Sequence, residues 1–145
     1  MKAVCKLNRG HEIGFAKDNF QFFSQTEFPV IKGKEYIIMG VIIYKNLNGM
    51  HYLIDDDRPF WVPSVCFELS DNKVFNECFL NWYIRIFNKQ ASDGVIFFLS
   101  GFDELCNNDR YYEALLERES WALDIYFKRK REMQKWYELK PFMNK

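Results

Sequence analysis

Hydrophobic and polar residues alternate in short runs through the first half of the chain, with the period that places successive side chains on opposite faces of a strand. Glu35 to Lys45 predicts one long strand, and Gly40 inside it favours a bulge or a sharp bend. An Asn-Gly pair ends at Gly49, between this run and Met50 to Ile54, and predicts a β-hairpin. Two shorter strands are predicted at Phe60 to Val62 and Val65 to Leu69.

The period changes in the second half. From residue 110 to about residue 137 there is no glycine or proline, and apolar residues recur at spacings of three and four, as on one face of a long helix. Acidic residues come first in this segment and basic residues last, which complements the helix dipole. Pro141 is expected to end any continuation. Residues 76–87 fit a strand or an irregular segment, and the apolar run 95–102 fits either kind of element.

These patterns predict an α+β fold in a single domain, residues 1–145. About five short antiparallel strands, joined by tight turns within about residues 1–87, indicate a small β-barrel. Residues 88–109 are predicted to be a connector, and residues 110–137 a long C-terminal α-helix packed on the barrel. The 145 residues include fifteen Phe, eight Tyr and four Trp, enough large side chains to fill such a core.

The cysteines and the apolar runs indicate the compartment. Four cysteines, at 5, 66, 78 and 106, lack the close pairs of a zinc site, and Cys66 and Cys106 lie among apolar residues, as reduced, buried thiols do. The first residues lack the apolar segment of a secretory signal, and no apolar run approaches the roughly 18 residues that a membrane span needs. A cytoplasmic protein with no membrane association is therefore expected.

Three consecutive aspartates, Asp55, Asp56 and Asp57, are the most conspicuous polar feature. In an extended chain alternate side chains point to opposite sides, so at most two of these carboxylates converge, and the spacing of a calcium loop is absent. Metal binding is therefore disfavoured. Two interpretations stay open: a solvated loop that hydrogen bonds to its own backbone, or an acidic patch for a cationic partner. Asp103 and Glu104 open a second acidic segment, residues 100–127, with two basic and seven acidic residues.

No combination of residues predicts an active site. His11 and His51 have no supporting motif, and the chain has no nucleophile elbow and no glycine-rich phosphate loop. We therefore expect no catalytic residue, no cofactor and no metal. The basic run Lys128 to Arg131 is a possible nucleic-acid contact, but four consecutive positions spread around most of a helix.

The order of these motifs resembles a family of small bacterial proteins with an SH3-like barrel, several of which are similar to immunity proteins of polymorphic or contact-dependent toxin systems. The resemblance covers about residues 28–130. It rests on "GKEY" and I-x-M-G-V, "YLIDDD", W-x-P-x-x-x-FEL-x-D, a following Trp82, and "GFDEL" with "YYEALLER" at the start of the helix. The family supplies no catalytic residues.

This resemblance implies that the barrel is SH3-like and that the protein is a non-catalytic immunity protein. Such a protein would bind a cognate toxin domain, possibly a nuclease, through an acidic surface, because a nuclease needs a basic groove for its substrate. The candidate contact residues are Asp55, Asp56, Asp57, Asp103 and Glu104. A nucleic-acid partner is disfavoured. The alternative hypothesis is a nucleic-acid-binding or regulatory adaptor that uses the SH3-like barrel and the basic C-terminal helix.

Overall fold

An antiparallel sheet with helices on one of its faces forms the described part of the chain. The computed structural model describes residues 1–13, 26–45, 49–71, 82–91 and 94–143. The strands are β1 (Lys2–Cys5), β2 (Glu35–Tyr44), β3 (Met50–Ile54), β4 (Trp61–Pro63), β5 (Phe67–Asp71), β6 (Tyr83–Ala91) and β7 (Gly94–Gly101). The helices are α1 (Asp103–Asn107), α2 (Tyr111–Leu116) and α3 (Ser120–Met143).

The long strand β2 organises the sheet. Along one edge it pairs with β3, and along the other it pairs first with β1 and then, from Gly40 onward, with β7. Strands β4, β5 and β6 extend the sheet outward from β3, β1 and β7. The α+β class, the antiparallel sheet and the C-terminal helix are thus confirmed. The described pairings leave the sheet open, so they do not establish a closed SH3-like barrel.

A β-bulge in β2 shifts the alternation of its side chains between two cores. Ile38 pairs with Ile54 and Gly40 with Leu53, which leaves Met39 as the extra residue. The helix-side core takes Met39 and Leu53 together with buried residues of all three helices, whereas the opposite core takes Ile38 and Ile54. The sequence prediction of an irregularity at Gly40 is therefore confirmed, and the bulge places Met39 and Gly40 on the same side of the sheet, toward the helices.

Gly40 and Gly101 pair directly across β2 and β7, and the side chain of Leu105 on α1 lies on this pair. A methyl group on Gly40 would come within 2.6 Å of the Leu105 side chain. A methyl group on Gly101 would lie 2.7 Å from Leu105 and 2.9 Å from the main-chain oxygen of Met39. The two glycines therefore provide the flat backbone surface on which α1 rests.

Tyrosine hydroxyls attach the helices to one another and to the sheet. Tyr112 on α2 and Tyr44 on β2 share a buried hydrogen bond of 2.6 Å between their hydroxyl oxygens. Tyr111 on α2 donates to the main-chain oxygen of Ala122 on α3 at 3.0 Å. These polar contacts add directional hydrogen bonds to an otherwise apolar helix-side core.

The prediction of one helix over residues 110–137 is wrong, because two helices occupy that segment. After α2 ends, the amide of Arg118 donates to Leu115 and the amide of Glu119 donates to Ala114, at 3.1 and 2.9 Å. This is the Schellman pattern, and Arg118 occupies its left-handed position with φ of 57°. The helix α3 then continues to Met143, so the prediction that Pro141 ends the helix is wrong.

The predicted boundaries of the sheet and of the connector also need correction. Seven strands are described rather than about five, and the assumed connector 88–109 contains the end of β6, all of β7 and α1. The apolar run 95–102 is part of strand β7 because it pairs with β2 on one side and with β6 on the other. The pattern of so short a run does not distinguish a strand from a helix, so these tertiary contacts decide its structure. The strand predicted at Val65 to Leu69 begins later, as β5, after the 3₁₀ turn Ser64–Cys66.

Replacing the two glycines separately should give unequal losses of stability. Gly101→Ala meets main-chain atoms and should lower the free energy of unfolding by about 1–3 kcal/mol, as overpacking does, whereas Gly40→Ala meets chiefly a movable leucine tip and should cost less. Urea unfolding measures both. Leu105→Val, which removes the Cδ atoms, should restore more of the stability lost in Gly40→Ala than of the stability lost in Gly101→Ala. Equal losses, or equal relief, would contradict this assignment.

Candidate partner-binding surface

The first aspartate of the loop after β3 is built into the fold. The Asp55 amide donates to the main-chain oxygen of Ile37 at 3.0 Å, and its Oδ1 accepts from the Ile37 amide at 2.6 Å. Its Oδ2 accepts from Nε2 of Gln134 on α3 at 3.2 Å. Burial raises the pKa of this carboxyl, and its hydrogen bonds and the nearby charge of Lys130 oppose that rise. Asp55 therefore joins the sheet to α3.

The second aspartate attaches the loop to α3 through its main chain. The hydroxyl of Tyr126 accepts from the Asp56 amide at 3.0 Å and donates to the main-chain oxygen of Ile54 at 2.7 Å. Nζ of Lys130 donates to the main-chain oxygen of Asp56 at 3.0 Å. The Asp56 carboxylate accepts from the next amide, that of Asp57, at 2.9 Å, which is the local hydrogen bond predicted from the sequence for a solvated loop.

The third aspartate is the exposed tip of this loop. The side chain of Asp57 is fully exposed, with a relative accessibility of 102%, and its Oδ1 lies 3.8 Å from Nζ of Lys130. The neighbouring Arg58 is exposed as well. Further along, the guanidinium of Arg118 lies over the ring of Phe60 at 5.6 Å. Contacts on both sides thus fix the loop while leaving Asp57 in solvent.

The second predicted acidic pair has a divided role. Asp103 is exposed at the start of α1, and its Oδ1 accepts from Nδ2 of Asn107 at 2.7 Å. Glu104 forms a two-pronged ion pair with Arg129 on α3, at 2.7 and 3.0 Å, and its side chain is only 25% exposed. Arg129 also pairs with Glu132 at 2.9 Å, and these carboxylates raise the pKa of its guanidinium.

The structure therefore brings the two acidic segments to neighbouring residues of α3. Glu104 meets Arg129, and the aspartate loop meets Lys130. Asp55 and Glu104 are engaged inside the protein, so of the five predicted contact residues Asp57 and Asp103 present carboxylates most openly to solvent. Sequence reasoning missed this division, because the pairing depends on how α3 lies against the sheet.

A cleft between β6 and α2 is a further feature of the described structure, and the sequence does not predict it. Its volume is about 280 Å³. It is lined by Lys89, Gln90, Asp109, Arg110, Glu113, Ala114, Glu117 and Glu119. The carboxylate of Asp109 pairs with Arg85 at 2.7 Å, and its main-chain oxygen accepts from Lys89. The ion pair with Arg85 lowers the pKa of Asp109. The walls carry both signs of charge and show no set of groups converging on one reacting atom.

The cysteines Cys66 and Cys106 and the histidine His51, the remaining candidates for chemistry, are buried. Cys66 and Cys106 are buried as predicted, and burial raises the pKa of each thiol to about 12, so both thiols are protonated at neutral pH. Cys78 lies outside the described residues. His51 is buried edge-on against the ring of Tyr44, with 5.6 Å between ring centroids. Within the described residues no three His, Cys, Asp or Glu side chains are placed to hold a metal ion.

Comparison with protein families, curated proteins and solved structures finds no match to this chain. No helix among the described residues has both the length and the apolar character needed to cross a membrane.

The ion pair between Arg129 and Glu104 should show measurable coupling in a double-mutant cycle. Because both side chains are largely shielded and the contact is two-pronged, Arg129→Ala and Glu104→Ala should couple by about 1 kcal/mol, measured by urea unfolding. The matched control is Lys6 with Glu68, 3.8 Å apart and more than half exposed, which should couple near zero. Equal coupling in the two pairs would contradict the expectation that the shielded pair of Arg129 and Glu104 contributes more to stability than an exposed pair.

Asp55 should make stability depend on pH in a direction opposite to most carboxylates. Because burial raises its native pKa above the ordinary 3.8, the folded state holds this proton more tightly than the unfolded state does. Stability from this group is therefore greatest at low pH and falls as the pH rises through the native pKa.

Asp55→Asn keeps an oxygen for the Ile37 amide and removes this titration. The free energy of unfolding of wild type minus that of Asp55→Asn should fall as the pH rises above about 4 and then level off. Asp57→Asn, at the fully exposed position, serves as the control variant. A difference that rises with pH would overturn the assignment.

Proposed function

We propose that this protein is a non-catalytic, cytoplasmic immunity protein that binds a cognate bacterial toxin domain, with an SH3-like barrel as its scaffold. The observation that carries the proposal is the aspartate loop, which is fixed by the fold and presents Asp57 to solvent. A loop held in one conformation loses little entropy when it binds, so its contacts contribute more fully to affinity. The resemblance in motif order, "YLIDDD" above all, supports the same class of protein.

The charge of the proposed contact surface favours a cationic partner. Asp57 lies at the loop tip, 3.8 Å from Lys130, and Asp103 at the start of α1, next to the residue that pairs with Arg129, and both are exposed carboxylates. The substrate groove of a nuclease is basic, and acidic groups that occupy it block substrate and accelerate association. Asp55 and Glu104, which were candidate contacts from the sequence, serve this function indirectly by holding the loop and α1 on α3.

The test begins with affinity capture by the tagged full-length protein from its own source, followed by mass spectrometry. The captured partner should be a basic, toxin-like domain at equal stoichiometry. Its association rate with Asp57→Lys/Asp103→Lys should fall by roughly tenfold or more at low salt, and co-production of this variant should no longer protect cells from the toxin.

The matched control is Glu27→Lys/Glu68→Lys, which makes the same change in net charge at exposed positions elsewhere. It should bind and protect like the wild type. Full protection by the Asp57→Lys/Asp103→Lys variant would sink the proposed surface, and failure to capture any toxin-like domain would sink the proposed function.

A further inference from the structure

The helix α3 sorts the cations of its basic run onto different sides. Arg129 and Lys130 face the protein, with side chains 19% and 16% exposed, and both are engaged by acidic segments. Lys128, Arg131 and Lys135 are exposed, and among the described residues none of these three forms an ion pair. The four consecutive cations Lys128 to Arg131 spread around most of the helix and cannot all face one groove. Lys128, Arg131 and Lys135 are not consecutive, so this argument does not apply to them.

We propose that Lys128, Arg131 and Lys135, the outward cations of α3, form a docking surface for the phosphate backbone of duplex nucleic acid. This proposal goes beyond the immunity function and does not rest on it. At about 100° per residue, these positions fall within an arc of about 60°, and the middle of this arc lies about 110° around the helix from the side that carries Lys130 and Gln134. The surface is therefore separate from the aspartate loop.

The spacing of the three cations suits a phosphate backbone. Lys128 and Lys135 are about 10.5 Å apart along the helix axis, at about 1.5 Å per residue. One strand of duplex DNA carries a charge every 3.4 Å or so of its axis, so a stretch of that length presents about three phosphates. Long lysine and arginine side chains reach such phosphates without any change in the backbone of α3.

The composition of this face favours nucleic acid over an acidic protein. A stable protein interface needs a buried apolar or aromatic centre, whereas phosphate contacts need only cations. Between Asp124 and Glu138 the exposed positions of α3 are all polar or charged, and the exposed apolar residue Leu139 lies beyond this stretch, after Glu138. The surface also has no exposed aromatic residue for base stacking, so the contact would be independent of base sequence.

The flanking carboxylates set the limits of the surface. Asp124 and Glu138 lie one turn beyond its two ends and are exposed, and Glu132 is directed to Arg129. They confine the cationic face to about two turns of α3.

A self-association through this face would place Lys128 against Lys135 of an antiparallel second copy, so charge repulsion disfavours that occupant.

The test is fluorescence anisotropy of a labelled 20-base-pair DNA duplex with the full chain, at several salt concentrations. Three phosphate contacts predict a slope of log affinity against log salt near −2.7, at about −0.9 per contact. Lys128→Gln/Arg131→Gln/Lys135→Gln should lower the affinity at low salt roughly tenfold or more and remove most of the slope. Lys128→Arg/Lys135→Arg should retain both, which guards against loss through altered folding.

The control variant is Lys6→Gln/Lys34→Gln/Lys45→Gln, with the same change in net charge at exposed positions away from α3. Near-wild-type binding by this control, together with loss in the α3 variant, supports the proposal. Equal loss in both variants overturns it, because binding would then follow net charge alone. Absence of binding at 50 mM salt overturns it as well, and tighter binding of poly-glutamate than of the duplex would assign the face to an acidic protein instead.

Discussion

The contact of Leu105 with the paired glycines of β2 and β7 is the constraint on which the rest of the structure depends. Next to the bulge at Met39, Gly40 lies on the helix side of the sheet, where an added side chain would meet Leu105 first and Trp61 second. With glycine at positions 40 and 101, the backbone of the two strands is open to the Leu105 side chain. With Leu105 seated there, the next residue back, Glu104, is held where it meets Arg129. The position of α1 thus fixes the register of α3 against the sheet.

A second line of contacts along α3 depends on that register. Tyr126, Lys130 and Gln134 recur every four residues, and all three hydrogen bond to the loop that follows β3. A rotation of α3 by one residue would remove this alignment together with the ion pair of Arg129. The aspartate loop is therefore ordered by long-range contacts, which explains how a run of three like charges is held in one conformation.

Local patterns allowed several elements to be predicted from the sequence. The hairpin strand Met50–Ile54 and the irregularity at Gly40 were found because alternation and turn chemistry are properties of adjacent residues. The break between α2 and α3 was missed because its left-handed residue is Arg118 rather than glycine, and its cation–π contact with Phe60 comes from a distant loop. The strand β7 was ambiguous because its apolar run acquires a strand structure only between β2 and β6.

The candidate site shows the same division between local and tertiary information. The sequence located the acidic and basic segments, but the sum of charges along a segment does not give the charge of a surface. Residues 100–127 and 128–145 carry net charges of −5 and +5, from two basic and seven acidic and from seven basic and two acidic residues. Part of each total is used inside the protein, in the pair of Glu104 with Arg129.

The rotation of α3 about its axis decides which of its charged side chains stay exposed to a partner. The contacts with the loop and with α1 turn Arg129 and Lys130 inward, and the helical period then necessarily turns Lys128, Arg131 and Lys135 outward. An exposed acidic loop tip and an exposed basic helix face therefore follow from one packing arrangement. The two proposed docking surfaces carry opposite charge, so they would take different ligands, and salt would weaken both contacts by the same screening.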